Sequence, residues 1–282
     1  MRTPKRVRTG RPPAASVALV LALGSALAAP PAARAQDPGP LVTDRPDQTE
    51  SALSVPAGFT QVELGVTYGR EGGAGDPSAL DLGGTLARVG LGHGLEARLG
   101  HAGWTSVRAG GETLASGFGD AELGLKLAGT LADGRTSIGL LGSVSVPIGE
   151  DEVSSGRADP SVRVLWSRSL SERLSLGANL GLAWETVPAS HVDAGPDDVD
   201  TELEMPYTAA LGIAASDRVG LFLELFGGFG LRDDRPAAHA LDGGLTVLLR
   251  DGWQLDASAG VGLDDDARDW FVASGVSVRI PR

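Results

Sequence analysis

From residue 58 to the end of the chain, apolar and polar residues alternate with a period of two, the mark of strands with one face in an apolar medium. In QVELGVTY, Val62, Leu64, Val66 and Tyr68 share one face; Gln61, Glu63, Gly65 and Thr67 share the other. DAELGLKLA sets Ala121, Leu123, Leu125 and Leu127 against Asp120, Glu122, Gly124 and Lys126. LSLGANLGLAWE and WQLDASAGVGL repeat the pattern around Asn179 and Asp256. Twelve such segments are read, near residues 58–70, 80–90, 95–105, 118–131, 136–147, 159–169, 174–185, 201–214, 219–231, 240–249, 253–263 and 270–280. No convincing helical period and no run long enough for a helical span follows residue 36.

Most segments have the ~9–11 residues that carry a tilted strand across a bilayer. Their connections alternate in length. Gly92-His93-Gly94, Asp133-Gly134, Ser171-Glu172, Ser216-Asp217 and Asp251-Gly252 mark short turns, and Asp-Gly favours hairpins because both positions tolerate positive φ. The other connections, such as SVRAGGETLASG and TVPASHVDAGPDDVD, are long and rich in Gly and Asp. This layout predicts an all-β fold: a transmembrane antiparallel up-and-down barrel of about twelve strands, residues 58–282, with short turns and both termini in the periplasm. A soluble sandwich or lipocalin-like barrel would alternate too, with its apolar face inward. The polar face here is rich in Gly, Ala and Ser, which suits a crowded lumen.

The start of the chain adds a location. Arg2, Lys5, Arg6, Arg8 and Arg11 precede the apolar run AASVALVLALGSALAA and the small-residue end AARA. Residues 1–35 therefore read as a cleaved secretory signal peptide, the run being short for a membrane anchor. The expectation is export to the outer membrane of a Gram-negative bacterium. Removing six basic residues leaves 18 Lys and Arg against 36 acids, a formal charge of −18. Such a chain has no basic footprint for nucleic acid. With no Cys, neither disulfides nor thiolate metal sites arise.

Residues 36–57 form a periplasmic segment before the first strand, and they contain TDRPDQTES. Together with the following strand, TDRPDQTESALSVPAGFTQVELGVTY resembles the opening of the family known as putative MetA-pathway of phenol degradation. The matching positions are Asp44, Arg45, Pro46, Asp47, Thr49, Glu50, Ser51, Pro56, Gly58, Gln61, Glu63, Gly65 and Tyr68. Beyond Tyr68 the resemblance is one of strand pattern. It implies an outer-membrane "transporter" barrel acting in uptake, with no settled substrate. Many outer-membrane barrels end on an aromatic residue used in assembly, whereas this chain ends VSVRIPR. Val276, Val278 and Ile280 are expected to serve the barrel assembly machinery instead.

If the apolar face meets lipid, the lumen receives Glu63, Glu96, Asp120, Glu122, Glu185, Glu202, Glu204, Glu224, Asp242 and Asp256, with Arg98, Lys126, Arg163 and Arg279. Charges on the lipid face would cost ~2–4 kcal/mol each near the midplane. Glu63, Glu96, Arg98, Glu122, Lys126, Arg163, Glu202, Glu204, Glu224 and Asp256 are the candidate pore lining; the plainer reading is a network that only holds the barrel closed. Phe222 and Phe226 share the inward face with Glu224, where they offer an apolar contact to an aromatic solute; a bulge would turn them to lipid instead. Tyr68, Trp104, Trp166, Trp184, Tyr207, Trp253 and Trp270 lie mostly near strand ends, as an interfacial girdle would.

Enzymatic readings find little support. His93, His101, His191 and His239 fall in no metal-binding spacing, and no nucleophile elbow accompanies His101 and Ser106. The acidic loops GPDDVD and GLDDDARD lack the order of a calcium loop. No cofactor or metal is expected. The reading is a channel for passive uptake of small solutes, hydrophobic or aromatic compounds among the candidates, with outer-membrane lipids as surroundings. The alternative is a non-conducting structural or adhesive barrel. TDRPDQTES, beside the lumen mouth, is expected to form a partial plug or constriction.

Overall fold

The computed structural model describes residues 39–70, 76–187, 200–231 and 237–282. The signal-peptide expectation for residues 1–35, His191 and most of the acidic loop GPDDVD (residues 195–199) lie outside the described residues. The strands are β1 (Phe59–Arg70), β2 (Ser78–Gly92), β3 (Leu95–His101), β4 (Trp104–Ala109), β5 (Glu112–Phe118), β6 (Ala121–Thr130) and β7 (Thr136–Val146). They continue with β8 (Pro160–Ser169), β9 (Leu174–Val187), β10 (Asp200–Ala214), β11 (Val219–Gly230), β12 (Ala238–Arg250), β13 (Trp253–Gly262) and β14 (Trp270–Pro281).

All pairings are antiparallel, and β1 bonds to both β14 and β2, so the sheet closes on itself. Twelve strands form the wall. Among the described residues, closure leaves the twelve-strand wall without an open edge to face lipid. The remaining two, β4 and β5, form a hairpin that extends the wall, with β4 paired to the far end of β2. Here the structure corrects the sequence reading. The segment read as 95–105 stops at His101, where β3 pairs directly with β6, and SVRAGGETLASG is strand and turn rather than loop. Gly110 and Gly111 both take positive φ (60° and 89°), the conformation that two-residue hairpin turns demand.

The alternation does what lipid requires. Leu123, Leu125 and Leu127 are 50–58% exposed on the outer face, while Gln61, Glu63 and Lys126 are at most 1% exposed on the inner face. A soluble sandwich would invert this arrangement, so the apolar-inward alternative fails. At the rim that carries the long loops, the Tyr68 and Trp270 rings meet edge to face at 5.8 Å. At the opposite rim, Arg250 lies 4.7 Å over the Trp253 ring. Both contacts fit side chains anchored at an interface.

The short turns gather at one end, called here the turn end. In the β6–β7 turn, the Asp133 carboxylate accepts the Thr136 hydroxyl (2.7 Å) and the N–H groups of Arg135 and Thr136. The Thr136 hydroxyl bond and then the backbone N–H bonds hold its pKa down at about 2.

Candidate functional site

The inner wall is built by strand parity, and a bulge in β2 changes it at the site. Gln61 and Glu63 on β1, Glu96 and Arg98 on β3 and Lys126 on β6 follow the simple period and turn inward. Arg88 on β2 does not follow the frame set by Leu80 and Leu82. The β1–β2 register shifts at Gly65/Val66, opposite Gly83, whose φ is +74°. This bulge resets which side each later residue takes. Arg88 is thereby carried into the lumen, 1% exposed, although sequence parity places it with the lipid-facing residues.

Residues 39–56 run inside this wall. Arg279 holds the entry at the turn end by donating to the carbonyls of Pro40 (3.0 Å) and Gly39 (2.6 Å). The Val42 carbonyl accepts Gln61 Nε2 (2.8 Å) and Arg88 (3.2 Å). Farther in, the Asp44 N–H donates to Glu63 (3.0 Å), and the Gln48 N–H to Glu224 (2.7 Å). The Thr49 hydroxyl donates to Glu224 (2.5 Å) and lies 2.7 Å from Thr208 Oγ1. Asn179 brackets Glu50, accepting its N–H (2.7 Å) and donating to its carbonyl (3.0 Å). The chain then returns: Val55 N–H donates to Glu96 (2.7 Å), and the Pro56 carbonyl accepts Phe59 N–H where β1 begins. Ala52, Leu141 and Leu165 form a small buried apolar cluster on the way.

Charge organises the centre. The Asp44 carboxylate faces Arg98 (2.6 Å), Lys126 (3.1 Å) and Arg88 (3.2 Å), and also accepts the Ser51 N–H (2.8 Å). Glu50 pairs with Arg98 at 2.7 Å. The wall supplies its own acids: Arg88 bonds Glu63 and Glu96, each at 3.0 Å, and Arg98 bonds Glu96 at 3.3 Å. On β13 and β14 the segment finds further partners: Arg45 lies 3.4 Å from Asp256 and donates to the Ser274 carbonyl at 3.2 Å. Bonds to charged groups contribute ~1.5–3 kcal/mol each, net of lost hydration. A chain of such bonds fixes the segment far more firmly than its polar composition alone suggests.

The sequence-predicted residues thus divide. Glu63, Glu96, Arg98, Lys126, Glu224 and Asp256 meet the segment through Asp44, Arg45, Gln48, Thr49, Glu50 and Val55. Pro46 is buried, and Asp47 faces a cavity at the turn end. Glu122 is exposed, and Glu202 sits in register with Glu185 on β9. Arg163 and Glu204 line a separate cavity of ≈ 280 Å³ with Gln48 and Phe226. Asp120 lies just before β6 and ties down the loop after β7 through Gly149 and Ser154. Asp242 stands opposite Glu224 in the β11–β12 register, 2% exposed. Among the described residues no group of three or more His, Asp or Glu is placed to hold a metal ion. His101 accepts the Gly103 N–H at 2.8 Å.

Two further cavities flank the segment. One, of ≈ 400 Å³, opens at the turn end and is lined by Thr43, Asp47, Ser51, Gly134, Ser175 and Phe222 among others. The second, of ≈ 410 Å³, opens toward the loops and includes Arg45, Gln48, Phe226, His239, Arg268 and Phe271. Phe226 and Phe271 meet edge to face at 6.3 Å.

The family described as putative MetA-pathway of phenol degradation matches residues 43–280. The chain belongs to this family. Its match begins at Thr43, so the lumenal segment is part of the family's pattern and not an appendage to it. An outer membrane channel from Pseudomonas putida F1 is similar in structure, with a TM-score of 0.64 at 15% identity, covering 82% of this chain and 98% of that one. The NanC porin is similar with a TM-score of 0.52 at 11% identity, covering 78% and 100%. At these identities the likeness is one of fold. No curated protein matches the chain.

Proposed function

We propose that this family member is an outer-membrane channel for passive passage of small solutes, closed at mid-lumen by residues 43–55. The observation that carries the reading is the pair of ≈ 400 and ≈ 410 Å³ cavities on opposite sides of that segment. Each is of the size that holds a small organic molecule. A barrel serving only as a scaffold needs neither vestibule. The family membership and the channel-like fold support the same reading. Glu63, Glu96, Arg98, Lys126, Glu224 and Asp256 line the passage and hold the closure, while Glu122, Arg163, Glu202 and Glu204 flank it.

The loop-side cavity supports a hydrophobic or aromatic solute class. Phe226 and Phe271 stand there with Ala240, Ala267 and Ala273, next to the polar Gln48 and Arg268. Such a wall takes an aromatic ring edge to face while leaving polar partners at its rim.

Planar-bilayer recording tests the proposal. The intact chain should give small or brief conductance steps, and deletion of residues 43–51 should give larger, longer ones. A folded deletion variant that remains electrically silent favours the non-conducting structural or adhesive barrel.

A further inference from the structure

The centre of the segment is bound as a ligand would be. Three cationic side chains from three adjacent wall strands converge on one carboxylate, that of Asp44. All three are at most 5% exposed. Arg88 and Arg98 do not depend on Asp44 for their position, and Lys126 has Glu96 at 3.8 Å within the wall. Glu96 bonds Arg88 at 3.0 Å and Arg98 at 3.3 Å, and Glu63 bonds Arg88 at 3.0 Å, all within the wall. The wall alone therefore carries three cations and two carboxylates here, an excess of one positive charge. Asp44 supplies the missing negative charge at the centre, and Glu50 joins Arg98 from a more exposed edge.

Movement of the segment would strip that partner from buried cations. Leaving a buried charge without its partner costs ~3–5 kcal/mol. A solute carrying its own carboxylate would restore the balance in the same step. The space beside the cations also has a suitable character. Lys126 stands opposite Leu141 in the β6–β7 register, and Leu141 and Leu165 are covered by Ala52 of the segment. Withdrawal of the segment would uncover an apolar surface next to the carboxylate position.

We propose that Arg88, Arg98 and Lys126 form a binding site for the carboxylate of an organic acid with a compact apolar body, and that Asp44 occupies it as an internal stand-in. The inference rests on the reading of residues 43–55 as a movable closure. It deepens that reading by naming the solute class and the means by which the solute opens its own path. The solute carboxylate replaces Asp44 among the cations, its apolar body replaces Ala52 against Leu141 and Leu165, and the segment is released.

Two measurements on the full chain in detergent test the site. Equilibrium dialysis with benzoate should show saturable binding at least tenfold tighter for Asp44→Asn than for the unaltered protein. Adding Arg98→Ala should abolish that gain, and neutral benzamide should not distinguish the variants. Equal benzoate binding with and without Asp44→Asn, or equal gain for benzamide, overturns the proposal. The second measurement leaves Asp44 intact. Because the chain has no Cys, Ala52→Cys provides a single thiol at a position 1% exposed. Benzoate should speed its reaction with a water-soluble maleimide several-fold, and benzamide should not; identical rates overturn the proposal. Conductance separates the two claims. A barrel that binds benzoate yet never conducts keeps the site and loses the channel. One that conducts but ignores benzoate in both assays keeps the channel and loses the site.

Discussion

The guanidinium of Arg45 occupies the place where a side chain at Gly65 would stand. A Cβ on Gly65 would collide with the guanidinium carbon, and one on Gly275, its register partner across β1 and β14, would lie 2.6 Å from Arg45 Nε. Two glycines facing each other across a strand pair make a slot in the wall, and the arginine of the opening motif fills it. The spacing between Arg45 and Gly65 is thus one steric unit, a close-approach role for glycine.

Filling the slot should release the segment. Gly65→Val is expected to raise single-channel conductance, and Arg45→Ala to do so partially, because Asp256 loses its cation. Both act on one contact, so the double variant should exceed Gly65→Val only slightly. Additive effects in planar-bilayer recordings would show that the two residues act separately.

Removing the segment should change selectivity as well as size. Residues 43–51 carry Asp44, Asp47 and Glu50 against Arg45, so their deletion removes a net two negative charges from the lumen. The reversal potential in a salt gradient should move toward anion preference. Salt screens a wet passage over about 8–10 Å, which keeps the shift modest at physiological ionic strength. An unchanged reversal potential in a larger pore would place the segment outside the conducting path.

Asp44→Ala should destabilise the barrel more than Asp44→Asn. Alanine removes the acceptor that Arg88, Arg98 and Lys126 share, while Arg98 keeps Glu50 and Glu96 and Lys126 keeps the Ser51 carbonyl, so the loss falls below the ~3–5 kcal/mol of a fully broken buried pair. Asparagine keeps an acceptor oxygen and loses only the charge. Urea unfolding followed by heat-modifiable gel migration would rank the two.

Asp133 gives a pH prediction at the turn end. Its pKa in the folded barrel, about 2, lies below the ordinary value of 3.8, so its contribution to stability is present above pH ~4. That contribution fades as pH falls toward 2, because the unfolded chain takes up the proton first. Asp133→Asn should flatten the pH dependence of urea unfolding in this interval and leave it unaltered above pH ~5. An unchanged slope between pH ~4 and ~2 would remove Asp133 from the turn's energetics.

How far the sequence reveals this fold depends on how local each feature is. Parity along one strand is local, so Glu63, Lys126 and Asp256 are legible as inward residues. Arg88 is not, because the Gly83 bulge changes parity within β2 and only pairing with β1 exposes the shift. The β4–β5 hairpin reads as a loop although Gly110-Gly111 marks its turn, since the flanking strands are only 6 and 7 residues long. The motif's charge and its place before β1 are legible in the sequence. Its route past Glu63, Lys126, Asn179, Glu224 and Asp256 joins residues up to 211 positions apart, which no sequence window contains.

The short chain from Asp44 to Phe59 ties the closure covalently to β1. Asp44 therefore competes for the three cations as a tethered group, whose effective concentration is in the millimolar range for a short flexible link. A dilute solute meets a rival that never diffuses away. The barrel then answers to a threshold: it stays shut against scarce molecules and yields when the outside supply outruns the tether.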